Sequence, residues 1–254
     1  MALRKKSLFL YGFEVTAHNR SIDFKTSLID DERMATLTVG VYSLSSLLTE
    51  VTRAMQEVDT TNTYTVTADR SVNDGTENRV TIATSGSFLS ILWSSGTRAA
   101  SSARTLLGFP ASDSTGSTTY TGTSTAGTAL IPEEVGFSYL SETMNRRVFG
   151  SVNLSASGEK EAIIFQLQRF FEVEYKYEPE MKVITEWNDF MTWSIRQRPF
   201  DFTPEITSPN TFYDVTMETT SADGKALAFR MQEMLPSFPF FYRTGNLKMR
   251  IRES

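Results

Sequence analysis

The chain carries one histidine, His18, and no cysteine. Most zinc sites, every Ser-His-Asp arrangement and most general-base schemes draw on one of those two residue types. No thiolate is available as nucleophile or metal ligand. His18, followed by Asn19 and Arg20 between two strand-like runs, is expected in a turn. Carboxylate chemistry stays open, as in glycosidases that set two acids about 5 to 10 Å apart. Asp30-Asp31-Glu32 and Glu133-Glu134 invite it, but adjacent carboxylates point in different directions and read as solvated loop charges. The sequence has no Walker loop, no G-x-G-x-x-G opening a helix, no G-x-S-x-G elbow, no H-E-x-x-H and no EF-hand loop. The expectation is a non-enzyme with no catalytic residues, no metal ligands and no cofactor.

Two groups could bind rather than react. Phe238, Phe240, Phe241 and Tyr242 surround Pro239, with Pro236 just before. Such a cluster reads as a packed corner or an interface anchor. Together with Trp93, Trp187 or Trp193 it could instead offer sugar platforms in a carbohydrate-binding adhesion module, provided an aromatic ring is exposed in a concave site. Lys248, Arg250 and Arg252 fall on one face of a terminal strand. They could meet phosphate, guard an edge strand against aggregation, or form a salt-bridged subunit contact. The net charge of -5 argues against a dedicated basic surface, so no specific nucleic acid is expected. The candidate interface is therefore Phe238, Phe240, Phe241, Tyr242, Lys248, Arg250 and Arg252.

The elements that must position these groups are mostly strands. Phe9, Tyr11, Phe13 and Val15 alternate with Leu10, Gly12 and Glu14, and further β-branched runs follow through Val41. Arg4, Lys5 and Lys6 before Leu8 to Phe13 faintly resemble a signal peptide, but Gly12 and Glu14 cut the apolar run short, and a strand with a charged lead-in is expected. No segment reaches the roughly 20 apolar residues of a membrane span. Leu44, Leu47, Leu48, Val51, Ala54, Met55 and Val58 make one apolar stripe at helical period, which predicts a helix over 44–58 with Ser43 as N-cap. A second amphipathic helix is predicted over about 185–195, with Trp187, Phe190, Met191 and Ile195 on its stripe. Tyr64 to Ala68 and Val80 to Ala83 alternate at period two around Asn73-Asp74-Gly75, which predicts a hairpin over 64–84. Phe88 to Trp93 reads as a buried strand, and Ala99 to Leu107 as a short helix capped by Gly108. Long alternating runs follow at Ile163 to Tyr177 and Leu247 to Ile251.

The stretch 112–128 is almost entirely Ser, Thr and Gly. It cannot bury apolar surface and is expected to be a flexible loop, or an arm that orders against a neighbour. Composition thus divides the chain into a β-rich N-terminal domain (1–111) with a packed helix, a Ser/Thr/Gly-rich loop or arm (112–130), and a β-rich C-terminal domain (131–254). The fold class is α+β, predominantly antiparallel sandwich- or barrel-like sheets with two amphipathic helices.

Across residues 8–120 the pattern resembles a module of tailed-bacteriophage virion structural proteins. The resemblance is carried by the opening strands ending near Asp23-Phe24, Gly40-Val41-Tyr42-Ser43 leading into the helix, Tyr64-Thr65-Val66, Arg79-Val80-Thr81-Ile82, Phe88 and Leu106-Leu107-Gly108-Phe109. It implies a structural subunit of the tail or its junctions, assembled in the host cytoplasm into the virion. A distal tail or baseplate ring protein is the first expectation, with a neck, head-tail connector or capsid-associated protein as the alternative. The implied partners are other virion proteins and copies of the same chain, in a homo-oligomeric ring of three or six.

Overall fold

A computed structural model describes residues 7–29, 31–70, 78–132, 143–154, 160–179, 182–206, 211–218, 229–234 and 244–253. In chain order it holds β1 (Leu8–Tyr11), β2 (Phe13–Val15), β3 (Ser21–Lys25), β4 (Arg33–Thr36), β5 (Gly40–Tyr42), α1 (Leu44–Val58), β6 (Tyr64–Ala68), β7 (Val80–Thr84), β8 (Leu89–Ile91), β9 (Ser114–Ser117), β10 (Thr119–Thr121) and β11 (Thr128–Leu130). There follow β12 (Thr143–Leu154), β13 (Lys160–Pro179), α2 (Asn188–Ser194), β14 (Phe200–Thr203), β15 (Tyr213–Met217), β16 (Phe229–Met234) and β17 (Thr244–Glu253). The named strands pair antiparallel, and none of the sheets closes into a barrel among the described residues.

The contacts gather the chain into two compact units. One comprises Ser7–Ile131 and Pro199–Asp214, and the other draws its described residues from Pro132–Arg198 and Val215–Ser254. Composition alone put 199–214 in the C-terminal half. Its strand β14 instead lies beside β1, with Phe202 opposite Phe9 and Asp201 opposite Leu10. The Phe9 and Phe202 ring centroids are 5.1 Å apart.

Within the first unit the sheet orders are β11-β1-β14, β10-β7-β6, β2-β5 and β4-β3-β8-β9. Helix α1 packs Leu44, Leu47, Val51, Ala54 and Met55 into the core, as its stripe predicts. Ser43 caps it: its hydroxyl accepts from Ser46 N–H, and Ser46 Oγ accepts from Ser43 N–H at 2.9 Å. Two backbone donors left over at the helix start are thereby satisfied. Strands β6 and β7 form the expected hairpin in register Ala68↔Val80 to Tyr64↔Thr84, while its Asp74-Gly75 turn lies outside the described residues.

Glu50 on α1 is buried and receives Arg53 Nε and Nη2 and the backbone N–H of Thr38. The Arg53 hydrogen bonds, outweighing burial, hold its carboxyl at about 2, below the ordinary 4.5. A folded-state value below the unfolded one means that this carboxylate stabilises the fold above about pH 4.5, and that the contribution is lost as pH falls toward 2. Glu50→Gln is therefore expected to flatten the acid limb of a stability-versus-pH curve in that window. An unchanged acid limb would show that other carboxylates dominate it.

Residues 99–107 correct the expected helix. Only Ala99–Ser101 forms a 3-10 turn, and the rest closes as single turns. The Gly108 cap is real: Gly108 N–H donates to Thr105 O, Phe109 N–H to Arg104 O, and Gly108 has φ +75°. A Cβ there would stand 2.2 Å from Ser124 O, so the glycine also lets the chain pass close behind it.

The stretch 112–130 is corrected too. It supplies β9, β10 and β11, and each is the edge strand of a different sheet in this unit. As composition predicts, β9 and β10 are largely exposed, whereas Ala126 and Leu130 are buried. Edge strands are held by backbone hydrogen bonds, which a Ser/Thr/Gly sequence can still provide.

In the second unit the order is β15-β17-β13-β12, with β16 also on β17. Phe171, Val173 and Tyr175 are buried along one face of β13, as their alternation predicts. Helix α2 is preceded by a wide helical turn, Val183–Trp187, and buries Phe190 and Trp193. Tyr175, Trp187 and Phe190 pack in series at 5.4 and 5.9 Å.

Candidate functional site

Among the described residues, no group of three or more His, Asp or Glu side chains gathers into a metal site. His18 is exposed in its turn. Glu32 accepts the N–H and hydroxyl of Thr97 at 2.7 and 3.1 Å, which accounts for one acid of the 30–32 group. Glu133 and Glu134 lie outside the described residues.

The polar cluster that most resembles a reactive site joins α1 to β14 inside the first unit. Asp201, fully buried, accepts through Oδ2 from Arg70 Nη1 at 2.5 Å, Ser45 Oγ at 2.7 Å and Ser45 N–H at 3.2 Å. Ser43 Oγ donates to Asp214 Oδ2 at 2.7 Å, and the Arg70 guanidinium lies 3.5 Å from the Phe212 ring centroid. The serines donate to these carboxylates, and Arg70 engages Asp201. Each of these contacts falls on Oδ2 of its carboxylate. This arrangement fixes the returning segment 199–214 to the helix, and its chemistry is that of a lock.

The expected sugar platforms are corrected by burial. Trp93, Trp187 and Trp193 are 1%, 1% and 8% exposed, so none offers an open ring face. Trp93 instead donates from its indole N–H to Ser114 Oγ at 3.2 Å, and Trp193 stacks under the Arg198 guanidinium.

Of the candidate interface residues, Phe238, Phe240, Phe241 and Tyr242 lie outside the described residues. Lys248, Arg250 and Arg252 lie on β17, which is an interior strand rather than the edge one reading required. By register Lys248 stands opposite Glu174 and Arg250 opposite Glu172 on β13, placing opposite charges across the ladder. Arg250 Nε is 2.9 Å from Glu218 Oε2, and Arg252 Nε donates to Thr216 Oγ1 at 3.4 Å. Arg250 and Arg252 are thus engaged within their own sheet.

The feature that sequence reasoning missed is a ribbon. Strand β13 has 20 residues, but β17 pairs with it only between Phe170 and Pro179. From Lys160 to Arg169 its only described partner is β12, over Arg146–Leu154. Ten residues of two-stranded ribbon therefore run beyond the sheet, about 33 Å at ordinary strand rise. Directly opposite residues share a face. A register shift between Phe149 and Gly150 leaves Val152 with Ala162, Gly150 with Ile164 and Val148 with Leu167 on one side, which ends in the pair Arg146 with Arg169. The other side carries Asn153 with Glu161, Ser151 with Ile163, Phe149 with Gln166 and Arg147 with Gln168. A two-stranded ribbon is marginal in water without a surface to cover its apolar face. Its signal in the sequence is the alternation Val148-Gly150-Val152, weakened by the glycine.

No helix among the described residues is long and apolar enough to cross a membrane. Comparison with known proteins finds no family model and no curated protein that matches the chain.

Proposed function

We propose that this chain is a non-catalytic structural subunit of a tailed-phage virion, a distal tail or baseplate ring component working through contacts with copies of itself and neighbouring virion proteins. The observation that carries its assembly role is the β12–β13 ribbon. Among the described residues, ten residues of paired strand extend past β17, with Val148, Val152, Ala162, Ile164 and Leu167 on one face by register. Such an element gains its stability from a surface to lie on, and a neighbouring subunit supplies one. The placement in a tail rests on the pattern over residues 8–120.

Light scattering after size exclusion tests the role directly. The purified chain is expected as a discrete closed oligomer, a trimer or hexamer, since homo-oligomers favour closed symmetry. A monomer at every concentration would overturn self-assembly.

A further inference from the structure

Residues 199–214 form a tongue that belongs to the first unit while both of its ends belong to the second. The chain leaves the second unit after Arg198 and returns to it at Val215. The two ends are tied together there: Gln197 Nε2 donates to Met217 O at 3.0 Å, and Ser194 Oγ donates to Met217 Sδ at 3.9 Å. All four residues of β14 are buried, so the strand is covered on both faces. Ile206, further along the tongue, joins the apolar cluster of the first unit. The polar anchors are as complete. Asp201 is met by Arg70 and Ser45, and Asp214 by Ser43, partners 131 to 171 residues away in sequence.

The tongue and the body it completes, residues 7–131, are held by this packing and by one covalent link. Strand β11 ends at Leu130 and β12 begins at Thr143, so the link is the twelve residues 131–142. A chain of that length reaches up to about 40 Å. It starts at Ile131-Pro132, and a residue before proline is biased to extended backbone, which carries the chain straight on from β11. No contact between tongue and body depends on the path of the link. The same contacts form when the two belong to different copies.

We propose that in the assembly the tongue of one copy completes the first unit of the next, its β14 entering beside the β1 of its neighbour. This rests on the assembly reading above. The occupant is a second copy because the fit is specified residue by residue: Phe200 and Phe202 on Phe9, Asp201 on Arg70 and Ser45, Asp214 on Ser43. Exchange of an identical element is a low-cost route to assembly, since no new surface has to evolve. The resulting contact, aromatic and closed around a hydrogen-bonded ion pair, has the core-like character of permanent interfaces. Each copy gives one tongue and receives one, a head-to-tail arrangement that closes into a ring when the rotation permits.

The chain has no cysteine, so a disulfide introduced between β1 and β14 reports which copies they come from. Leu8 and Thr203 stand directly opposite each other, and opposite residues of antiparallel strands lie within disulfide reach. The full-length Leu8→Cys/Thr203→Cys variant, oxidised as the assembled oligomer and run in denaturant without reductant, is expected as covalent multimers up to the copy number that light scattering gives. A covalently closed monomer from an oligomeric sample overturns the exchange and leaves assembly standing. A parent chain that is monomeric at every concentration overturns both. Should that variant fail to fold or to close its disulfide, mixing decides. Arg70→Met copies and Asp201→Leu copies are each expected to lose the oligomer at concentrations where the parent keeps it, because each leaves a buried charge unpaired. Unfolded and refolded together in equal amounts, they are expected to regain it, since a site without its arginine then receives a tongue without its aspartate, and an intact site an intact tongue. A mixture that recovers nothing places the tongue in its own chain and overturns the exchange.

Discussion

Arg70→Met is expected to destabilise the first unit by about 3–5 kcal/mol, the cost of leaving a buried charge without its partner. Arg70 and Asp201 are 7% and 0% exposed at the side chain, so water does not reach the carboxylate that remains. After the substitution Asp201 Oδ2 keeps only the hydroxyl and N–H of Ser45. Loss of the guanidinium also removes the cation over Phe212. The strand this pair secures, β14, holds Phe200 and Phe202 against Phe9, so the effect spreads to the β1 edge. Removing both charges with Arg70→Met/Asp201→Leu is expected to recover part of the loss, because a well-packed apolar pair avoids desolvating two ions. The shift in urea midpoint at unchanged slope measures it. A loss below about 1 kcal/mol for Arg70→Met would show that water enters the cluster and that the pair is not a lock.

Trp93→Ala should cost about as much, roughly 3–5 kcal/mol, through a different cause. The indole is 1% exposed, lies 4.8 Å from the Phe109 ring and donates to Ser114 on β9. Its removal opens a cavity under the edge strand that the Ser/Thr/Gly stretch contributes. For a chain of this size the melting temperature should fall by roughly 6–20 °C. The same variant separates two roles for tryptophan. A sugar platform could be removed with little loss of stability, whereas a core indole cannot. An unchanged melting temperature would reopen the platform reading.

Much of the scaffold was legible because periodicity reports burial. The α1 stripe, the β6–β7 alternation and the Phe171-Val173-Tyr175 face turn inward the residues their spacing selects, with Leu48, Val58, Val66 and Ala68 only half-buried. Gly108 was legible as a cap because positive φ is a local demand. What escaped was set by pairing partners far away in sequence. The strands at 114–117 and 119–121 exist because β8 and β7 offer them free edges, and composition records burial, not the offer of an edge. The interior position of β17 likewise depends on β15 and β16 arriving from elsewhere, so Lys248, Arg250 and Arg252 read as a free stripe when Glu172, Glu174 and Glu218 already stand near them.

The return of residues 199–214 to the first unit has a consequence for how the protein is made. Sixty-seven residues, 132–198, are synthesised between the two parts of that unit. At about 5–20 residues per second, the ribosome spends roughly 3–13 seconds on them. During that interval the nascent first unit has β1 without β14, and the Arg70 side chain without Asp201. The unit cannot reach its final stability while tethered, so its completion waits on the emergence of the second half. Release of a truncated chain ending before residue 199 would leave an open strand edge and an unmatched buried cation, and such a fragment would be turned over before it could enter an assembly.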